Sequence, residues 1–405
     1  MSPNIATTQA EAPAVWSLAL GQTLTYAGVF YAFPALLPDL LTMTGWSEAA
    51  LAAGPTLSFL VMAALTPFTG RLVDRGFGGE MLIWLAALAA VCVAVLGFAP
   101  NFVVWIAIWA VLGVAQAGIL YDTCFAFLTR RLGARARPAI IRVTLIAGLA
   151  GTFAFPLAHW LAAQIGPALT LSVFAALILF GSVPLNAFAV RRLRQIERPD
   201  ASPQAAIDPT ITRRAMRKPP FWALSGMYGV LWLAHGIVIT FVLILFAERG
   251  AAPGLATLAA ACIGPSQVLG RLILLMNERR VNNAMATLIS VLSLNLAALA
   301  LMIAGSAPWM IFAFAALQGA GIGILSILRP VLIAQTLGRT GFGAISGAIA
   351  VSPILATALG PSVGAWVLAL GGAGAVYGLV LALALSGLGL AFWLTRLGLD
   401  LPETR

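Results

Sequence analysis

Gly70-Arg71-Leu72-Val73-Asp74-Arg75 closes a long apolar segment and opens a short polar connection before the next apolar segment begins near Met81. A Gly, a carboxylate and two guanidiniums stand where a helix leaves hydrocarbon. The charges can reach water there, and the Gly lets a neighbouring helix end approach closely. Taken alone, the stretch fits a simple positive stop after a membrane span as well as it fits a dedicated loop signature.

Working outward, the same architecture returns at an offset of 205 residues. Gly118-Ile119-Leu120 recurs as Gly323-Ile324-Leu325, Leu132-Gly133 as Leu337-Gly338, Gly21 as Gly226 and Pro156 as Pro361. The offset carries Asp74-Arg75 onto Arg279-Arg280, within Asn277-Glu278-Arg279-Arg280. An internal repeat of about 200 residues, each copy holding several membrane spans, is how secondary transporters are built.

The stretch from Gly70 to Arg75 resembles the loop signature between helices two and three of the major facilitator superfamily, and the halved layout is similar over essentially the whole chain. The resemblance implies an all-α integral membrane protein with twelve transmembrane helices in two six-helix pseudo-repeats, a transporter working by alternating access and not an enzyme. One departure is visible. The family's loop continues with a Gly and one or two basic residues, whereas Gly76-Phe77-Gly78-Gly79-Glu80 follows here, which leaves the loop's charge network open.

Composition sets the same class independently. Of 405 residues, 61% are hydrophobic and 9% charged, and a mean hydropathy of +0.99 lies far outside the range of water-soluble domains. The net charge of +10 comes from 22 Arg and one Lys spread over loops, a topology signal and not a nucleic-acid face. Cys92, Cys124 and Cys262 lie in separate apolar runs, so they form neither a disulfide framework nor a metal knuckle. With no Walker-type loop and no His-rich cluster, the sequence implies no ATP motor, metal or other cofactor.

Residues 1–13 lack the basic start of a signal peptide and read as a cytoplasmic tail. Apolar segments near 15–38, 48–72, 81–99, 103–128, 139–162 and 168–190 form a first bundle, 14–190. Each is long enough to cross about 30 Å of hydrocarbon as a helix, which pairs its own backbone groups. The Arg-rich, polar stretch 191–220 reads as a cytoplasmic linker that cannot bury enough apolar surface to fold alone. Segments near 221–246, 254–277, 284–304, 309–336, 343–368 and 375–395 form a second bundle, 221–396, ahead of a tail, 397–405. With both termini cytoplasmic, 19 of the 23 Lys and Arg face the cytoplasm, Arg249 alone falls outside, and Arg142, Arg271 and Arg329 fall within spans. That bias fixes the orientation in an inner membrane. The outer loops carry Asp39, Glu48 and Glu248.

Ionisable groups inside lipid are costly, so chemistry is sought there first. Arg142, four residues after Pro138, is close enough to its helix end to snorkel. Gly270-Arg271-Leu272 resembles the arginine-bearing helix eight of oxalate and monocarboxylate transporters, where the arginine contacts a substrate carboxylate; structural pairing is the alternative. Gln318 and Arg329 project onto nearly one face of helix ten, and the family's cavity is lined by helices one, four, seven and ten. Asp122, read as the one acid within a span, is a candidate for the coupling proton or for a permanent counter-ion. Gln22, Tyr26 and Phe30 climb one face of helix one, and the repeat partner of Phe30 is His235, a candidate substrate donor or a satisfied core histidine. In the loop, Gly70, Asp74 and Arg75 are candidate gating residues, with Asp74 holding the ends of helices two and eleven together. Prolines within spans, among them Pro67, Pro184, Pro265 and Pro330, are expected to bend their helices.

Three membrane Arg against one membrane Asp favour a small organic anion as cargo, moved by a proton-coupled monomer in the lipid bilayer. An exporter of drugs or of a metalloid such as arsenite is the second reading, with the thiols as its lure. A membrane enzyme or non-transporting receptor is the third, and no catalytic constellation speaks for it.

Overall fold

The computed structural model describes residues 3–195, 210–277, 280–307 and 309–399. The centre of the linker (196–209), Glu278-Arg279 of the repeated loop and residues 400–405 of the tail lie outside the described residues. Among the described residues the chain is helical, with no strand.

Among the described residues, ten helices are long and apolar enough to cross a membrane. The first span is Glu11–Thr44, the second Ala49–Asp74, the third Gly78–Leu96 and the fourth Phe102–Leu132. Ala136–Gln195, 60 residues long, would run about 90 Å if straight, three times the hydrocarbon thickness. It is interrupted at Gly166 (φ 78°, ψ 164°), a left-handed conformation that glycine adopts without strain, and holds the fifth and sixth spans. The seventh to tenth spans are Pro219–Glu248, Gly254–Met276, Asn283–Ile303 and Met310–Leu337. Phe342–Leu397 is interrupted at Gly371 and Gly372 and holds the eleventh and twelfth. The total is consistent with the twelve expected spans.

Local chemistry explains where the spans begin. Ser47, Asn101 and Asn282 each accept a backbone N–H three residues on, at 3.2, 3.0 and 2.7 Å, satisfying donors that a helix start leaves orphaned. Pro219 and Pro253 stand in the first turns of their helices, where a missing N–H costs nothing. The helices run on through Pro67, Pro265 and Pro330, while widened π turns at Ala27–Tyr31 and Leu177–Ser182 precede Pro34 and Pro184 and absorb the missing donors.

The chain divides into two compact units: Met1–Ile211 with Arg339–Ala348, and Thr212–Gly338 with Ile349–Arg405. Each is packed on small residues. In unit one, Gly113 of the fourth span lies against the Ser58 carbonyl of the second. In unit two, Gly319 of the tenth lies against the Ile263 carbonyl of the eighth. In unit one a polar seam joins the first, third and sixth spans: Thr25 and Ser182 share a hydrogen bond of 2.8 Å, Ser182 donates to the Gly21 carbonyl, and Asn186 donates to the Leu82 carbonyl. Each donor finds an acceptor, as a medium without water requires. The outward face is apolar, with Phe180 and Trp84 among the most exposed side chains at 77% and 70%, the pattern of a surface solvated by lipid.

Candidate functional site

In unit one the site is built around the fourth span. No proline lies between Phe102 and Leu132, yet the span divides into Phe102–Ile119 and Tyr121–Leu132 at Leu120, whose ψ of −173° is extended. An extended residue swings the following N–H groups away from the carbonyls one turn back, so the helical ladder cannot pass it. Gln22 of the first span donates Nε2–H to the Ile119 carbonyl at 2.9 Å. Thr69 of the second span donates its hydroxyl to the Ala117 carbonyl at 2.8 Å, and Thr123 reaches the same oxygen at 3.2 Å. The Tyr26 hydroxyl accepts the Tyr121 N–H at 3.4 Å, with the two rings 4.4 Å apart.

Asp122 falls in the first turn after this break, where the partial positive charge of a helix start favours a carboxylate. It lines a narrow, open-sided space of about 160 Å³ with Thr66, Thr69, Gly70, Thr123, Gly343 and Gly347. The structure thereby joins Asp122 to the opening loop stretch, a neighbourhood that the sequence did not reveal. The reading of Asp122 as the one acid within a span is corrected. The first helix runs back past Glu11, which is 5% exposed and paired with Arg135, and Asp74 is 7% exposed. The apolar signal starts after Glu11, but a nearby guanidinium lets the helix carry a carboxylate inward.

Asp74 joins two helix ends within unit one. Its Oδ1 accepts the Gly343 N–H and its Oδ2 the Ala344 N–H, both at 2.8 Å, in the first turn of the eleventh span. Gly70 and Gly343 meet backbone to backbone, so a Cβ on either would overlap the other's carbonyl, and Gly347 lies as closely against Thr66. Arg130 of the fourth span donates to the Asp74 carbonyl. Arg194 of the sixth donates to Glu80 at 2.5 Å and reaches the Gly76 carbonyl at 3.5 Å. The bases missing after Gly76 are thus supplied from other spans. Arg75 is exposed and closes its helix through an N–H donated to the Arg71 carbonyl.

In unit two, Arg271 is 4% exposed. Its Nε donates to the Gly323 carbonyl at 3.3 Å and its Nη2 to Gln267 Oε1 and Ser326 Oγ, both at 3.4 Å. Gln318 is buried, and its Nε2 lies 3.2 Å from Nδ1 of His235, so two of the expected residues meet across the seventh and tenth spans. With Gln318 donating, His235 carries its proton on Nε2. Arg329 is half-buried just before Pro330. Arg249 stacks on the Tyr377 ring at 4.0 Å, and the Tyr377 hydroxyl donates to the Leu245 carbonyl at 2.7 Å. Cys92 and Cys124 are buried and Cys262 is half-buried, on three different spans. Among the described residues, no three His, Cys, Asp or Glu side chains come together as a metal site.

Sequence reasoning passed over Thr69, Thr123, Arg130 and Gly343. The threonines had a signal, since Thr66 and Thr69 are polar residues one turn apart next to Gly70 in an otherwise apolar span.

A chain of membrane helices carrying this loop between its second and third spans has a counterpart among known families: the model described as Major Facilitator Superfamily matches residues 18–308. The chain belongs to the major facilitator superfamily. It is therefore a multi-pass membrane transporter for a small-molecule substrate. The superfamily fold also appears in the solved structures it resembles. The human organic anion transporter MFSD10 (TETRAN) is 18% identical, with 94% of this chain and 99% of that chain covered and a TM-score of 0.67. The transporter FucP, in the outward conformation, is 14% identical, with 94% and 97% covered and a TM-score of 0.68. At these identities the likeness shows the fold alone. No curated protein matches the sequence.

Proposed function

We propose that this transporter moves a small organic anion across the inner membrane by alternating access, as a monomer coupled to protons, with both termini in the cytoplasm. Arg271 carries the reading. Its guanidinium is buried in the second unit, where it donates to a carbonyl, an amide oxygen and a hydroxyl at 3.3 to 3.4 Å, and a planar fork of donors is matched to a carboxylate. Gln318 and His235 add neutral donors and acceptors on the tenth and seventh spans of the same unit. The same fold serves organic anions in MFSD10 and adopts an outward conformation in FucP. Asp122, at a helix start beside three threonines, suits a group that gains and loses a proton as its surroundings change. Asp74, bonded to the eleventh span's first turn, suits a latch that holds one conformation. The exporter reading loses its lure, because the thiols are dispersed over three spans.

The test is uptake and efflux in vesicles with labelled lactate, benzoate and oxalate, a cationic drug and arsenite, under an imposed pH gradient. The proposal expects an anion to accumulate with the gradient, and Asp122→Asn to abolish that accumulation while exchange of substrate for substrate persists. Movement of only neutral or cationic solutes overturns it. Accumulation by Asp122→Asn that still follows the gradient reduces Asp122 to a counter-ion.

A further inference from the structure

The break in the fourth span has an ordinary sequence and an unusual set of partners. Its residues Gly118-Ile119-Leu120 are repeated as Gly323-Ile324-Leu325, and there the tenth helix runs unbroken from Met310 to Leu337. The local sequence is therefore compatible with a continuous helix. What differs is the neighbourhood. Side chains that meet the freed backbone at the break include Gln22, Tyr26, Thr69 and Thr123. At the offset of 205, their counterparts are Met227, Leu231, Leu274 and Leu328, all apolar and all buried. Polar side chains stand at these positions only in the unit whose helix is broken.

The exchange is close to one for one. In a continuous helix the Ala117 carbonyl would accept the Tyr121 N–H and the Ile119 carbonyl the Thr123 N–H. In the broken form, hydroxyls of Thr69 and Thr123 and the amide of Gln22 occupy those carbonyls, and the Tyr26 hydroxyl occupies the Tyr121 N–H. Two forms with nearly equal numbers of hydrogen bonds differ little in free energy, which is the condition for a bistable element.

We propose that the break at Leu120 is a hinge. Gln22, Tyr26 and Thr69 are positioning residues that hold it open from the first and second spans, and the fourth span closes into a continuous helix in another state, carrying Asp122 with it. Closing the extended residue into a helical turn re-aims everything after it, so Asp122 would leave the space it shares with Gly70 and Gly343. The inference rests on the transport reading, but neither measurement below involves a solute, so a failed hinge and a failed substrate are told apart.

Two experiments on the full chain in lipid nanodiscs test it. The first is amide hydrogen exchange in the peptide 116–124, comparing the parent with Gln22→Leu/Thr69→Val. Removing the side-chain partners disfavours the broken form, so exchange at 121–123 is expected to slow about tenfold as the continuous helix reclaims those amides. Unchanged or faster exchange overturns the proposal. The second fixes the break. Position 121 opens the second half-helix, and Leu120 is already extended, as a residue before proline must be. Tyr121→Pro should therefore melt within about 3 °C of Tyr121→Ala, whereas Ser326→Pro in the unbroken tenth span should melt roughly 10 °C below Ser326→Ala. If Tyr121→Pro is as damaging as Ser326→Pro, the fourth span is continuous in the resting protein and the hinge fails. This comparison stands even if the double variant does not fold.

Discussion

The two units treat the same three residues differently. At Gly118-Ile119-Leu120 the backbone is opened, and the Ile119 carbonyl and that of Ala117 just before it are given to neutral side chains. At Gly323-Ile324-Leu325 the helix persists, and the Gly323 carbonyl is met by a guanidinium and the Leu325 carbonyl by the Tyr228 hydroxyl at 3.0 Å. A proline one turn later, Pro330, does not open it. The difference teaches that a helix break in lipid is decided by what adjacent spans offer to the backbone, more than by the residues in the break. It also separates two chemistries. Unit one sets a carboxylate beside hydroxyls and glycines, while unit two holds a buried cation that donates to carbonyl, amide and hydroxyl oxygens.

The largest expected effect comes from erasing what is particular to unit one. The repeat counterpart of Gly70 is Leu275, so Gly70→Leu makes the first unit resemble the second. The new side chain meets the Gly343 backbone, which cannot rotate aside, and the cost is roughly 3 kcal/mol or more. Thermal melting should fall by several degrees, and Asp74→Asn, which keeps the glycine contact, should fall less. A Gly70→Leu protein that melts like the parent would show that the two glycines part easily. Next in size is Arg271→Lys in unit two. A lysine cannot offer a planar fork, so binding of the transported anion should weaken about 10- to 100-fold at unchanged melting temperature. A drop in stability with unchanged affinity would instead make Arg271 a structural tie of the tenth span. The smallest effect belongs to the exposed pair of Arg194 and Glu80, at 36% and 41% side-chain exposure. Arg194→Ala should cost less than about 1 kcal/mol in a denaturation measurement, and a larger loss would mean that the loop's charge network acts as a unit.

Much of this was legible in the residues. The long apolar runs pointed to the membrane helices, because hydrocarbon thickness and the need for internal backbone pairing leave a sequence little freedom. Asp74 was legible as a tie to the eleventh span because a carboxylate at a helix end wants N–H donors. The break at Leu120 was not legible, since no Pro or Gly marks it and its cause lies at residues 22, 26 and 69. The pairing of Glu11 with Arg135 was not legible either, since the two lie 124 residues apart. In each miss the deciding contact is tertiary, between spans far apart in sequence.

The joint at Gly166 has a consequence for how the protein is made. A single left-handed residue separates two helices that share 60 residues, so no stretch of chain is available to wait in water while one of them settles in the membrane. The pair must enter the bilayer together as a preformed hairpin. A substitution that stiffens position 166 against its positive φ would then act during synthesis, leaving both helices stranded at the interface before any transport cycle begins.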